Sequence, residues 1–264
     1  DYETDSINFK WQKQLSLMDS VFITNKYSAK PVNKNVKIVN HASNLDKYRQ
    51  SYEPFDIPHL KNKFVFYFIG ELNKRKNLEA LLKAFHLEFK RHEDVELVLK
   101  INIPGLSLDE TRENIDKYCE EIKRGMKIYD NVSFYKKEII MPQRLSDEDI
   151  MRLHTTCDCF VTASYGEGWC KPAFDAMAMG KTPIVVADTV PFVTDDNGYL
   201  CEYQKEPCFG AVQGFKELYT AKENWNRVNI DSLRKNMRKA FEQDRSLKIE
   251  NGISTLLVQI HTGR

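Results

Sequence analysis

The run Phe64-Val65-Phe66-Tyr67-Phe68-Ile69 ends at Gly70, and a helical stripe of Leu78, Leu81, Leu82, Phe85 and Phe89 follows it. A strand with no polar alternation is buried on both faces, which requires a parallel sheet with helices packed on each side. The same switch of period then recurs along the chain. Glu96 to Ile101 reads as the next strand, and Leu108 to Arg124 as a helix stopped by Gly125. Val132-Ser133-Phe134-Tyr135 reads as a third strand. Ser146-Asp147-Glu148-Asp149 opens a helix with an acidic first turn and a pattern like a capping box. Cys159 to Ala163 is a fourth strand, Pro172 to Met179 a short helix closed by Gly180, and Pro183 to Ala187 a fifth strand. Strands alternating with helices in this way predict an α/β fold with a Rossmann-like, doubly wound parallel sheet.

Outside the alternation the pattern is less regular. Trp11, Leu15 and Met18 stand at helical spacing before Val21-Phe22-Ile23-Thr24, a short buried strand, and Lys37-Ile38-Val39 is another. From about Asn40 to Asn62, Pro54, Pro58 and many polar residues mark an irregular connection, where a domain boundary is expected. Helices are expected near 208–220, 229–243 and 247–261, the last carrying Ile253, Leu256, Leu257 and Ile260. The division is therefore residues 1–45 as the remnant of a preceding domain and its linker, 46–245 as the sheet domain, and 246–264 as a helix docking back toward the amino-terminal part. The start at Asp1, without an initiator Met, reads as an excised piece.

Composition narrows the function. The net charge is +1, with both signs interspersed, which argues against a nucleic-acid or anionic-membrane surface. No apolar run approaches the roughly 18 residues of a membrane span, and no secretory leader is visible. Cys119, Cys157, Cys159, Cys170, Cys201 and Cys208 show no CxxC spacing, so reduced core thiols of a cytoplasmic protein are expected. The histidines are dispersed, without HxxxH or HExxH pairs, and no metal site is readable.

In a doubly wound sheet, ligands bind outside the carboxyl ends of the strands, where the connections diverge. The first loop to inspect is Gly70-Glu71-Leu72-Asn73-Lys74-Arg75-Lys76-Asn77. Its three cations before a helix could neutralise a diphosphate, although a solvated cationic loop has the same composition. The second is Ser164-Tyr165-Gly166-Glu167-Gly168-Trp169-Cys170-Lys171-Pro172-Ala173-Phe174-Asp175. Gly166 and Gly168 allow close backbone approach, and Pro172 starts a helix beside them, so unpaired amides and the helix dipole form a seat for phosphate. Glu167 and Asp175 flank that seat, and carboxylates beside an anion suit sugar hydroxyls. Dipole stabilisation by Asp175 and a plain loop acid at Glu167 are the alternatives.

Glu167, then seven residues, then Asp175 resembles the E-x7-E signature of retaining GT-B glycosyltransferases. The stretch from Glu167 to Gly180 resembles that family's EGFGLPxxEAMAxG, and Gly70 to Asn77 its GTLEPRKN variant of the phosphate loop. Residues 64–202 carry the strong resemblance. Met18 to Thr24 is similar to the last helix and strand of the family's amino-terminal domain, and Asn40-His41-Ala42 stands at the linker turn.

The resemblance implies the carboxy-terminal, donor-binding half of a GT-B enzyme. Catalytic roles fall on Glu167 and Lys76. Donor binding falls on Gly70, Arg75, Lys76, Glu167, Gly168, Trp169, Cys170, Lys171 and Asp175. Arg75 and Lys76 would hold the diphosphate, Glu167 the sugar, Asp175 the ribose, and the amides of Gly168, Trp169 and Cys170 the sugar or distal phosphate. The partners implied are a nucleotide-sugar donor, UDP- or GDP-linked, an acceptor of unread identity and a facing amino-terminal domain. No metal or other cofactor is expected. The family's usual Arg is Glu71 here, its second Glu is Asp175, and its usual Leu is Lys171, which is placed to supply the cation that Glu71 does not. Two other readings share these residues: a non-catalytic nucleotide-sugar-binding module, and a structural domain that has lost the ligand. Without a facing domain, the apolar amino-terminal part and the last helix are expected to cover each other or form a homodimer.

Overall fold

The structure, a computed structural model, describes residues 3–29, 35–210 and 219–243. At its amino-terminal end, α1 (Phe9–Leu15) leads into β1 (Val21–Ile23), followed by α2 (Lys26–Ala29) and β2 (Val36–Ile38). β1 and β2 pair in parallel, Val21 with Val36 and Ile23 with Ile38. Helix α1 buries none of its residues, and Phe9, Trp11, Met18 and Phe22 are exposed. The last expected helix, 247–261, lies outside the described residues.

The main sheet begins at β3 (Phe64–Glu71) and continues through β4 (Val95–Asn102), β5 (Ile139–Met141), β6 (Cys159–Phe160), β7 (Ile184–Val186) and β8 (Tyr199–Cys201). Between them run α3 (Leu78–Glu88), α4 (Leu108–Met126), α5 (Asp147–Thr156) and α6 (Lys171–Ala178). The strands are ordered β5-β4-β3-β6, all parallel, and a parallel bridge from Val161 to Ile184 joins β6 to the β7-β8 pair. Counted from β3, this is the doubly wound order 3-2-1-4-5-6.

Phe66, Phe68, Leu97 and Leu99 point to the face covered by α3, α4 and the later helix α7 (Ile230–Glu242). Tyr67, Val98, Phe160 and Val185 point to the face covered by α5 and α6. Both faces are therefore apolar, as the unbroken run at 64–69 requires. Full burial of each large side chain stabilises by roughly 1.5–3 kcal/mol.

Two expectations are corrected, and a third falls largely outside the described residues. The expected third strand at Val132–Tyr135 is a 3-10 turn at Val132–Phe134, because the Asn131 side chain accepts from the Ser133 amide and closes it. Phe134 of that turn is exposed, and the third strand is β5 instead. Gly125 does not stop α4, which runs to Met126 and ends where Lys127 turns left-handed. The helix expected at 208–220 lies mainly outside the described residues, and 208–210 and 219–220 are not helical. On either side of it stand β9 (Tyr203–Pro207) and β10 (Asn224–Val228), an antiparallel pair with Tyr203 opposite Val228.

Candidate functional site

β3 and β6 are neighbours whose connections leave toward opposite faces of the sheet, so a crevice opens past their carboxyl ends. Both loops singled out from the sequence lie there. Gly70 permits the end of β3: a Cβ at this position would stand 2.6 Å from Cζ of Phe68. Asn73 then accepts from the Lys76 amide at 3.0 Å, closing a 3-10 turn of Lys74–Lys76. Asn77 follows in the left-handed region (φ 50°) and donates through Nδ2 to the carbonyl of Ala163. The Tyr165 amide donates to Arg75 O at 2.9 Å, and Arg75 Nη1 donates to Gly166 O at 2.7 Å. These bonds stitch the two loops together.

The stitching brings Lys76, Arg75 and Glu167 onto one another. Lys76 Nζ stands 2.7 Å from Glu167 Oε1, and Arg75 Nη1 3.2 Å from Oε2. Glu167 is 7% exposed. Burial by itself raises its carboxyl, but the Lys76 and Arg75 charges and hydrogen bonds from Lys76 and Ser164 hold it below the usual carboxylate range. Arg75 Nε also faces Glu3 at 3.7 Å.

Asp175 belongs to a second cluster. Its carboxylate accepts from Lys171 Nζ at 2.7 Å, from Lys47 Nζ at 3.2 Å and from the Tyr48 hydroxyl. Burial raises its carboxyl as well, and the hydrogen bonds from Lys171 and Tyr48 with both lysine charges bring it below the ordinary value. Lys171 is therefore tied to Asp175 in this structure. Lys47 and Tyr48 were missed from the sequence because they lie in the irregular connection, on a 3-10 turn at Asp46–Arg49 that has no periodic signal.

Between the clusters, the chain enters α6 through Cys170, held left-handed at φ 64°. Among the described residues, the amides of Gly168, Trp169 and Cys170 donate no hydrogen bond. The Trp169 side chain packs on Phe174 and Phe192, so its part in the crevice is backbone. Two residues after β1, also missed, hold the loop from behind: Thr24 donates to Gly168 O at 2.9 Å, and Asn25 Nδ2 donates to Glu167 O at 3.2 Å and to Gly168 O. Gly166 lies against the Glu3 backbone, whose oxygen would be 2.0 Å from an added Cβ.

Among the described residues no group of three or more His, Cys, Asp or Glu could hold a metal ion. The six cysteines are buried and free. No helix among the described residues is long and apolar enough to cross a membrane.

The crevice, its cation loop and α6 up to the β8-β9 turn fall within residues 50–204, which match the family of glycosyl transferases group 1. The match spans more than half of the chain. The chain belongs to this family. Relatives include the serotype-specific mannosyltransferase WbdA of Escherichia coli, 24% identical over 119 residues, 44% of this chain and 13% of that protein. Sucrose-phosphate synthase from Thermosynechococcus elongatus superposes with a TM-score of 0.64 at 16% identity, over 95% of this chain and 56% of that one. The carboxy-terminal domain of the group 1 protein LpcC from Francisella tularensis gives 0.52 at 16% identity, over 84% of this chain and 98% of that domain. The fold is thus that of GT-B glycosyltransferases, and the chain spans about half of the synthase and a small part of WbdA.

Proposed function

We propose that the chain is the donor-binding part of a retaining glycosyltransferase that moves a sugar from a UDP- or GDP-linked donor to an acceptor without a metal ion. One observation carries the reading: Lys76, Arg75, the buried Glu167 and the free amides of Gly168–Cys170 converge at the switch point of the sheet. The amides and the amino end of α6 suit the diphosphate, whose charge grows as the sugar leaves. Lys76 and Arg75, while paired with Glu167, add positive potential beside the phosphates. Glu167, kept ionised by its two cations, accepts hydrogen bonds from sugar hydroxyls. Asp175 and its lysines stand on the nucleoside side.

Positioning an acceptor can account for roughly 7–11 kcal/mol of a barrier. We assign that task to a facing domain in the part of the GT-B fold this chain does not span, so the chain alone is expected to bind donor and transfer little. Calorimetry with UDP, GDP and their sugars, with and without EDTA, tests the reading. Binding is expected in both conditions, and ligand at about 100 times its Kd should stabilise the fold by roughly 2.7 kcal/mol. No binding of either nucleotide refutes the function, and binding abolished by EDTA refutes its metal-free form.

A further inference from the structure

Four cations of the crevice already touch a carboxylate. Lys76 and Arg75 share Glu167, and Lys171 and Lys47 share Asp175. Lys100 has no such contact. It stands in β4, in register with Ile69 of β3 and Met141 of β5, two residues before the strand ends at Asn102. Ile69 and Met141 pack against the core layer under α5 and α6, so Lys100 lies on the face from which α6 presents its amino end. The residue is 5% exposed, and its side chain makes no hydrogen bond or ion pair with the described residues. Burial lowers its ammonium pKa, and the charge that adds to this effect is another cation, Arg144, in the loop after β5. Arg144 is exposed and, among the described residues, also lacks a carboxylate partner.

A lysine buried along most of its length, with no counter-ion at its ammonium, is held at a cost, and a second cation near it adds to that cost. Packing alone is served better at such a position by Met or Leu. Glu71, on the same sheet face at the end of β3, forms no ion pair with Lys100. What the site lacks is an anion brought from outside.

We propose that Lys100 and Arg144 form an anion subsite that takes the diphosphate of the donor, supplying counter-charge that Lys76, Arg75 and Lys171 already direct to Glu167 and Asp175. The subsite rests on the donor-binding reading above. It gives a cation from β4 the task that an arginine at position 71 would otherwise perform.

The test compares Lys100→Met, Lys100→Gln and the exposed Arg144→Gln with the unchanged chain, using UDP, GDP, inorganic pyrophosphate, uridine and guanosine as probes. Lys100→Met is expected to raise the Tm of the ligand-free protein. It should weaken the nucleoside diphosphates and pyrophosphate by about tenfold or more, with a flatter salt dependence, and leave the nucleosides unchanged. Arg144→Gln should act in the same direction and less strongly. A lower Tm in Lys100→Met, together with equal weakening of nucleosides and diphosphates, makes Lys100 structural and overturns the subsite. Lys100→Gln serves if the Met variant does not fold. Unchanged diphosphate affinity in the Lys100 variants overturns the subsite alone, whereas an unchanged chain that binds neither UDP nor GDP removes the donor-binding reading together with it.

Discussion

Glu167 keeps its charge at 7% exposure because Lys76 and Arg75 lie against it, and this pairing has two measurable consequences. The first concerns ligands. Lys76→Ala should weaken UDP, GDP and their sugar derivatives alike, since a charged hydrogen bond of this kind contributes roughly 1.5–3 kcal/mol. Glu167→Gln should spare the bare nucleotides and weaken the sugar-bearing donors. Equal weakening of both classes by Glu167→Gln would move Glu167 from the sugar to the phosphates.

The second consequence concerns acid. The Glu167 carboxyl is depressed in the folded state, so its contribution to stability is present above the ordinary carboxylate range. It is lost as pH falls through the depressed value. Removing Lys76 narrows the gap between the folded and the ordinary value, so the loss of unfolding free energy on acidification, read by urea unfolding at several pH values, should be smaller in Lys76→Ala than in the unchanged chain. The cations and the acid were legible as motif residues. Thr24, Asn25, Lys47 and Tyr48 were not, because each reaches the site across more than a hundred residues of chain, the first two from the end of a strand and the last two from an irregular connection.

At the scale of elements, strands buried on both faces announce themselves and short or polar ones do not. β3 and β4 were readable from their apolar runs. β5 is three residues between Glu138 and Pro142, and Glu138 is held buried there by a hydrogen bond with His86 and an ion pair with Lys123 rather than by apolar character. β9 is Tyr203-Gln204-Lys205-Glu206-Pro207, held by its ladder with β10, and shows no alternation to detect.

Helix α5 was readable from its cap, and it also carries a titration the sequence does not show. His154 packs fully buried against β3, with Nδ1 2.6 Å from the Tyr67 hydroxyl and Nε2 without a hydrogen-bond partner among the described residues. Burial pushes its pKa down to about 3. Unfolding lets the ring take a proton near its ordinary value of 6.5. Folding is therefore progressively opposed as pH falls from that value toward 3, by up to about 1.4 kcal/mol per pH unit. Urea unfolding of His154→Gln at several pH values should show a shallower decline in this window than the unchanged chain. Parallel declines would mean that His154 is not held neutral.

At the scale of the whole molecule, alternation reveals the class of fold but not the strand order, since β3 comes first in the sheet and ends in its middle. That central place governs the time scales of the crevice. The amides and carbonyls of Val65 to Tyr67 are engaged on both edges, with β4 along its length and with Asp158 to Val161 on the other side. Exchange of these amide hydrogens with solvent requires the sheet itself to open, so they should be among the slowest in the chain, near the limit set by global unfolding. A few residues away, the amides of Gly168, Trp169 and Cys170 have no bond to break and should exchange among the fastest. A bound nucleotide should slow that second group by orders of magnitude while hardly altering the first. In hydrogen–deuterium exchange, donor binding would then be recorded as a local gain of protection at one loop, hung from a frame that was already closed.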